Sequence, residues 1–233
     1  MRTQVPKLVA LLLLAGLTVF AVQQQRALRA TRTELASLKP EAIDLGFTQT
    51  MRLHHQQAIG MAQLLLDGRP TALRMLATSI HGQQLVELGE MQGWLRLWNV
   101  PWMPAKPGMD WMRFGDVPPD AALTRYLLDC RRAPNGMLGY ASDAELQQLR
   151  RLDGRVRDAL FLKLMFAHHQ GGLPMARFAA GHAHLPAVRD LARRIVLDQA
   201  QELALIERMQ QVLATMPDSQ SSQSGPQGGE KKP

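Results

Sequence analysis

Two stretches of the chain repeat one string of ligand-type side chains. Asp44, Phe47, Met51, His54, His55, Gln56, Met61 and Ala62 recur as Asp158, Phe161, Met165, His168, His169, Gln170, Met175 and Ala176, each pair 114 residues apart. So many matches at one offset mark an internal duplication. Paired histidines with flanking methionines are a vocabulary for soft metals. Thioether and imidazole together suit Cu(I) or Ag(I), whereas imidazole alone also suits Cu(II) and Zn(II). Met and neutral His bring no charge, so a buried site made of them favours a monovalent ion over a divalent one left uncompensated.

The elements that must position these groups follow from helical periodicity. At about 100° per residue, Met51, His55 and Ala62 align with Asp44, and Phe47, His54, Ala58 and Met61 border them on one side. Both histidines of the first copy therefore share the apolar sector, which must face a core, and the second copy repeats the arrangement. Further along, Ile80, Gln84, Glu87 and Met91 share one helix face. Ile195, Gln199, Glu202 and Ile206 form the matching set, with Ile206 where the first copy has Met91. Inward Gln and Glu need partners, since an unpaired buried polar group costs about 1 to 3 kcal/mol. Imidazole N–H groups of the neighbouring helix are the expected partners. Glu87, Glu202, Asp44 and Asp158 are thus candidates to fix the imidazole tautomers from behind. For the two aspartates, a place in the first helical turn, favoured by the macrodipole, is an equal reading.

Leu, Ala, Arg, Gln and Met dominate outside the loops, and β-branched and aromatic residues are sparse, which points to an all-α fold. Helices are expected from about Glu41 to Asp67, from Pro70 to about Trp98, from about Arg155 to Gly181 and from about Pro186 to Ala214. Gly68 would close the first and Pro70 open the second. Pro174, following Gly171 and Gly172, predicts a kink just after the second histidine pair. Two such hairpins, 41–98 and 155–214, bury their stripes most simply as one four-helix bundle over 41–214. The insert at 99–154 reads as irregular to Ala141 and then as a short helix opened by the capping box Ser142-Asp143-Ala144-Glu145. Its Met103, Met109, Met112 and Met137 are either an outer metal-collecting set or core filler, the commoner role of Met. Trp94, Trp98, Trp102 and Trp111 should pack the bundle end. His81, His182 and His184 have no counterpart in the repeat; His182-x-His184, near a helix end, reads as surface, with exposed metal capture as the lesser alternative.

The ends are of another kind. Arg2 and Lys7 precede an apolar run from Leu8 to Val22, the layout of an export signal over 1–22. Either this segment is cleaved after Ala21 or, the preferred reading, it stays as a membrane anchor with 23–40 as a polar helical stalk. Both outcomes place the body outside the cytoplasm, in a periplasmic or cell-envelope space. The Ser, Gln, Gly and Pro tail at 215–233 is expected to be disordered. Cys130 is the only cysteine, so no intrachain disulfide forms. The formal charge of +7 comes from arginines interspersed with acids along helices, which marks solvated faces and not a nucleic-acid surface.

The spaced motifs resemble the domain of unknown function numbered 305, over about residues 41–213 in both copies. The match includes the Trp98-Asn99 turn and the approach from Ser142 to Gly154. The resemblance implies a ferritin-like four-helix bundle, often exported, some of whose members bind copper or silver and contribute to metal tolerance. It carries over as metal ligands His54, His55, Met51 and Met61, and then His168, His169, Met165 and Met175. Pro174 and Ile206 depart from the pattern, which makes the first copy the stronger candidate. The expected function is therefore extracytoplasmic binding of copper, favoured as Cu(I), or of silver, for sequestration or transfer. No organic cofactor and no catalytic constellation is expected, and homo-oligomerisation is left open. A structural or interaction bundle with a buried His/Gln/Glu network is the alternative. A ferritin-like oxidase is disfavoured because these helices lack the Glu-x-x-His pair of a di-iron bundle.

Overall fold

A computed structural model describes residues 5–215 and contains seven α-helices, with no β-strand among the described residues. They are α1 (Val5–Ser37), α2 (Ala42–Leu65), α3 (Arg74–Leu97), α4 (Ala121–Arg132), α5 (Asp143–Arg151), α6 (Gly154–His182) and α7 (Pro186–Thr215). Hairpins α2–α3 and α6–α7 join through the α2–α6 contact into a four-helix bundle, and α5 packs on α2 and α6. The tail lies, apart from Thr215, outside the described residues, as do residues 1–4.

The aspartates that open each repeat have a structural task. Asp44 Oδ2 accepts from the Glu41 amide at 2.8 Å, inside the capping box of α2, while its Oδ1 accepts from the Leu185 amide at 2.9 Å. Asp158 accepts from the Thr71 hydroxyl at 2.6 Å and the Ala72 amide at 2.9 Å. Each aspartate thus ties down the hairpin turn of the other repeat. The same contacts explain why α3 starts at Arg74 and not at Pro70: residues 71–72 are held by Asp158, and the Thr71 hydroxyl takes the Leu73 amide.

The insert is more ordered than its composition suggests. Asp120 caps α4 by accepting from the Leu123 amide at 2.7 Å, and Arg131 and Arg132 close its last turn, both ordinary helix signals within a Pro- and Gly-rich stretch. The capping box of α5 forms as expected at Ser142 and Glu145. Two equivalent positions of the repeat dock the insert by different means. The Gln57 side chain donates to the Ala141 carbonyl at 2.7 Å and accepts from its amide at 2.8 Å. Its counterpart Gly171 has no side chain because a Cβ there would overlap the Leu138 carbonyl. Gly139, at φ +75, meets the α6 backbone at Ala167 just as closely. Despite Pro174, α6 is a single helix from Gly154 to His182.

Three of the four insert methionines, Met109, Met112 and Met137, are buried in the core, so only Met103 is exposed. Trp111 packs on Gly46 and meets Phe47 and Phe178 edge-on, and Trp94 stacks on Trp98. Trp102 departs from the expected packing role: it is exposed, with Arg52 and Arg96 over its ring. Helix α1 runs without a break through the expected boundary near residue 22, and every side chain from Leu12 to Leu35 is exposed. Among the described residues no helix is long and apolar enough to cross a membrane.

Asp158→Ala removes a buried charged acceptor and strands two donors, so it should lower the unfolding free energy by about 2 to 3 kcal/mol, read by urea denaturation. An unchanged midpoint and slope would show that the turn is not held by this carboxylate.

Candidate metal centre

A polar layer crosses the waist of the bundle and divides its apolar core in two. On one side lie Phe47, Met51, Met91, Met175 and Ile195; on the other lie Ile80, Met61, Phe161, Met165 and Ile206. Between them, all four histidine rings of the repeats are fully buried. Their helices present them inward because the apolar stripes of α2 and α6 face each other, which matches the sector read from the sequence.

The rings form two layers. His54 and His168 stack across the α2–α6 contact, centroids 3.6 Å apart and planes 29° apart, and His168 Nε2 donates to the His54 carbonyl at 2.9 Å. His55 and His169 turn toward α3 and α7, where His55 Nε2 pairs with Glu87 at 2.5 Å and His169 Nε2 with Glu202 at 2.5 Å. The expected imidazole partners on the second helix of each hairpin are therefore Glu87 and Glu202. Asp44 and Asp158 do not serve the imidazoles; the backbone amides of the turns take them.

These bonds fix where the lone pairs lie. A carbonyl or an ionised carboxylate only accepts, so Nε2 of His55, His168 and His169 carries a proton, and in a neutral ring that leaves the lone pair on Nδ1. All three Nδ1 atoms are buried without a partner, as are both nitrogens of His54 and the side-chain amides of Gln84 and Gln199. Burial pushes His54 and His168 well below the ordinary imidazole range, and the neighbouring rings add to the shift. Both rings are held as neutral bases.

The methionines are shared between the repeats. His54 lies against Gly172, where a Cβ would meet His54 Cε1 at 2.8 Å and Gln199 Oε1 at 3.0 Å. The antiparallel α2–α6 contact interleaves the methionines of the two repeats along the core. Core membership agrees, since Met51, Met175 and Met91 occupy one half and Met61, Met165 and Ile206 the other. Each core half thus holds methionines of both repeats, and the half with Met91 holds a third thioether. Pro174 lies on the Gly171–Gly172 approach, and the sequence signal for that approach was the glycine pair itself.

Among the described residues no three His, Cys, Asp or Glu side chains converge as a ready cage. His81 lies 3.3 Å from the Gln63 amide, His182 stacks on Phe178, and His184 approaches Glu41 at 3.7 Å, all away from the layer.

The depressed imidazoles have a consequence for stability. Above about pH 6.5 the rings are neutral folded or unfolded; below it the unfolded chain takes up protons that the folded core refuses. The metal-free protein should therefore lose stability as pH falls below 6.5, with a slope from this pair of at most about 2.7 kcal/mol per pH unit. Urea denaturation of His54→Leu/His168→Leu should show a flatter profile over that range; an identical profile would mean the rings are not excluded from protonation.

The fold has relatives. The sequence profile of the Domain of unknown function (DUF305) matches residues 44–213. A DUF305 protein from Streptomyces coelicolor, described as secreted, is 32% identical with a TM-score of 0.62, covering 74% of this chain and 94% of that one. A DUF305 fragment from Deinococcus radiodurans is 28% identical with a TM-score of 0.57, covering 76% and 99%. CopM in its Cu(II)-bound form is 25% identical with a TM-score of 0.50, covering 72% and 96%. Comparison with curated proteins returns no match. With the profile spanning the whole bundle and a solved relative at 32% identity over nearly all its length, the chain belongs to the DUF305 family.

Proposed function

We propose that this protein binds copper, as Cu(I), or silver in the histidine and methionine layer of its bundle, outside the cytoplasm, and holds or passes on the ion without catalysis. The observation that carries the reading is the set of five buried ring nitrogens without partners: both of His54 and the Nδ1 atoms of His55, His168 and His169. Leaving polar atoms unpaired in a core costs about 1 to 3 kcal/mol each, and a bound cation removes that cost.

The donor set fits the ion. His54, His55, His168 and His169 would supply imidazole nitrogen, and Met51, Met61, Met165 and Met175, with Met91, would supply sulfur. Glu87 and Glu202 hold two of the rings by Nε2, which keeps their Nδ1 lone pairs turned into the core. Gln84 and Gln199 add unpartnered amides beside the rings. The two carboxylates also correct the expectation of an uncharged site: they bring negative charge next to the rings. Preference for Cu(I) and Ag(I) then rests on the softness of the thioethers, not on the absence of charge. The Cu(II)-bound CopM, with the same fold, supports copper as the metal. An export-type segment at the N-terminus and the secreted relative support the extracytoplasmic placement. The exposed apolar face of α1 from Leu12 to Val22 supports its use as an anchor.

Competition with a chromogenic Cu(I) chelator should show tight binding by the wild type. Glu87→Gln, which removes the support behind His55, should weaken binding about 10- to 100-fold, and His54→Ala/His55→Ala should abolish at least one site. Failure of the wild type to compete at micromolar Cu(I) would leave a structural polar network as the role of the layer. Copurifying iron with consumption of dioxygen would favour an oxidase instead.

A further inference from the structure

The histidine layer is fully buried, yet an ion must reach it, and the repeat symmetry indicates where. Helices α3 and α7 pack less closely on each other than do α2 on α3, α6 on α7 or α2 on α6. Gln84 and Glu87 of α3 are each 115 residues from Gln199 and Glu202 of α7, so an approximate two-fold axis relates the helices across this seam. Gln83 and Asp198 are the same position in the two copies, and their side chains approach each other across the seam. Both are half-buried.

Inward from that pair the polar groups are continuous. Glu87 and Glu202 come next and act electrostatically on Asp198; burial, and then those two charges, raise its carboxyl from its ordinary value. They hold His55 and His169. Gln84 and Gln199 are each 2% exposed with both amide atoms unpartnered, and Gln199 Oε1 is turned toward His54 and Gly172. Arg194, a turn before Asp198, is held by Glu90 at 2.7 Å and also acts on Asp198, opposing the two glutamates.

We propose that metal ions enter and leave along this axis, through the α3–α7 seam, with the Asp198 carboxylate as the outermost group that receives them; this rests on the metal-binding function proposed above. The chain carries a formal charge of +7, which repels cations overall, so a local group of three carboxylates at a seam defines the favourable approach. Copy one has only the neutral Gln83 at the equivalent place, so the route has one charged lip.

A group that lowers the barrier without holding the ion in its final place changes capture and release by the same factor. The test loads the full protein with Cu(I), mixes it with excess chromogenic Cu(I) chelator and follows release, with affinities taken from equilibrium competition. Asp198→Asn should slow release about tenfold at low ionic strength, with the gap narrowing in high salt, while capture slows in proportion. Gln83→Asp, which adds the missing second lip, should speed release. Circular dichroism verifies that both variants keep the wild-type helix content. Rates unchanged in both variants overturn the route while leaving the metal site standing. A weaker affinity in Asp198→Asn with faster release makes Asp198 a ligand and also overturns it. Wild-type protein that retains no Cu(I) overturns the metal reading itself, and this route with it.

Discussion

Placing four imidazoles, two amides and two carboxylates in one layer of a small helical core is the constraint that shapes this molecule. Burial removes water from every one of these groups, and an unpaired polar atom is expensive there. The structure satisfies part of the layer with His–Glu pairs and a His-to-carbonyl bond and leaves five ring nitrogens open. Stability must come from elsewhere. It comes from the two apolar halves on either side of the layer and from the aspartates that lock each hairpin turn to the opposite repeat. The layer then stays fixed because the helices carrying it cannot slide.

Duplication explains why the site belongs to neither repeat alone. Antiparallel contact between α2 and α6 brings His54 and His168 face to face and places Met51 with Met175 in one core half and Met61 with Met165 in the other. The copies have diverged where symmetry does not matter to the layer. Gln57 and Gly171 both dock the insert, one by a side-chain amide and one by having no side chain. They have also diverged where it does matter: Met91 against Ile206 makes one methionine end richer in sulfur than the other.

Much of this was legible in the sequence because the periodicity is strong. The four bundle helices, the inward histidines and the second-helix glutamates follow from spacing alone, and the capping boxes mark helix starts. What was not legible depended on contacts between distant segments. Nothing near Pro70 reveals that Asp158 holds residues 71–72, so α3 was placed too early. Asp44 and Asp158 read equally as imidazole supports and as first-turn charges; Asp44 does lie in the first turn of α2, and both carboxylates reach turns of the other repeat. Helix α4 was hidden by the Pro and Gly around it, although Asp120 and the terminal arginines were visible signals. The mixing of methionines from the two copies needs the antiparallel contact, which no single helix shows.

The most direct test reads the ring nitrogens themselves. Long-range 1H–15N spectra of the protein titrated with Ag(I) report each histidine nitrogen separately. Shifts of the Nδ1 resonances of His55, His168 and His169 and of a His54 nitrogen, with His81, His182 and His184 unmoved, are the predicted result. Shifts confined to His81, His182 and His184, with the four buried rings unchanged, would contradict it.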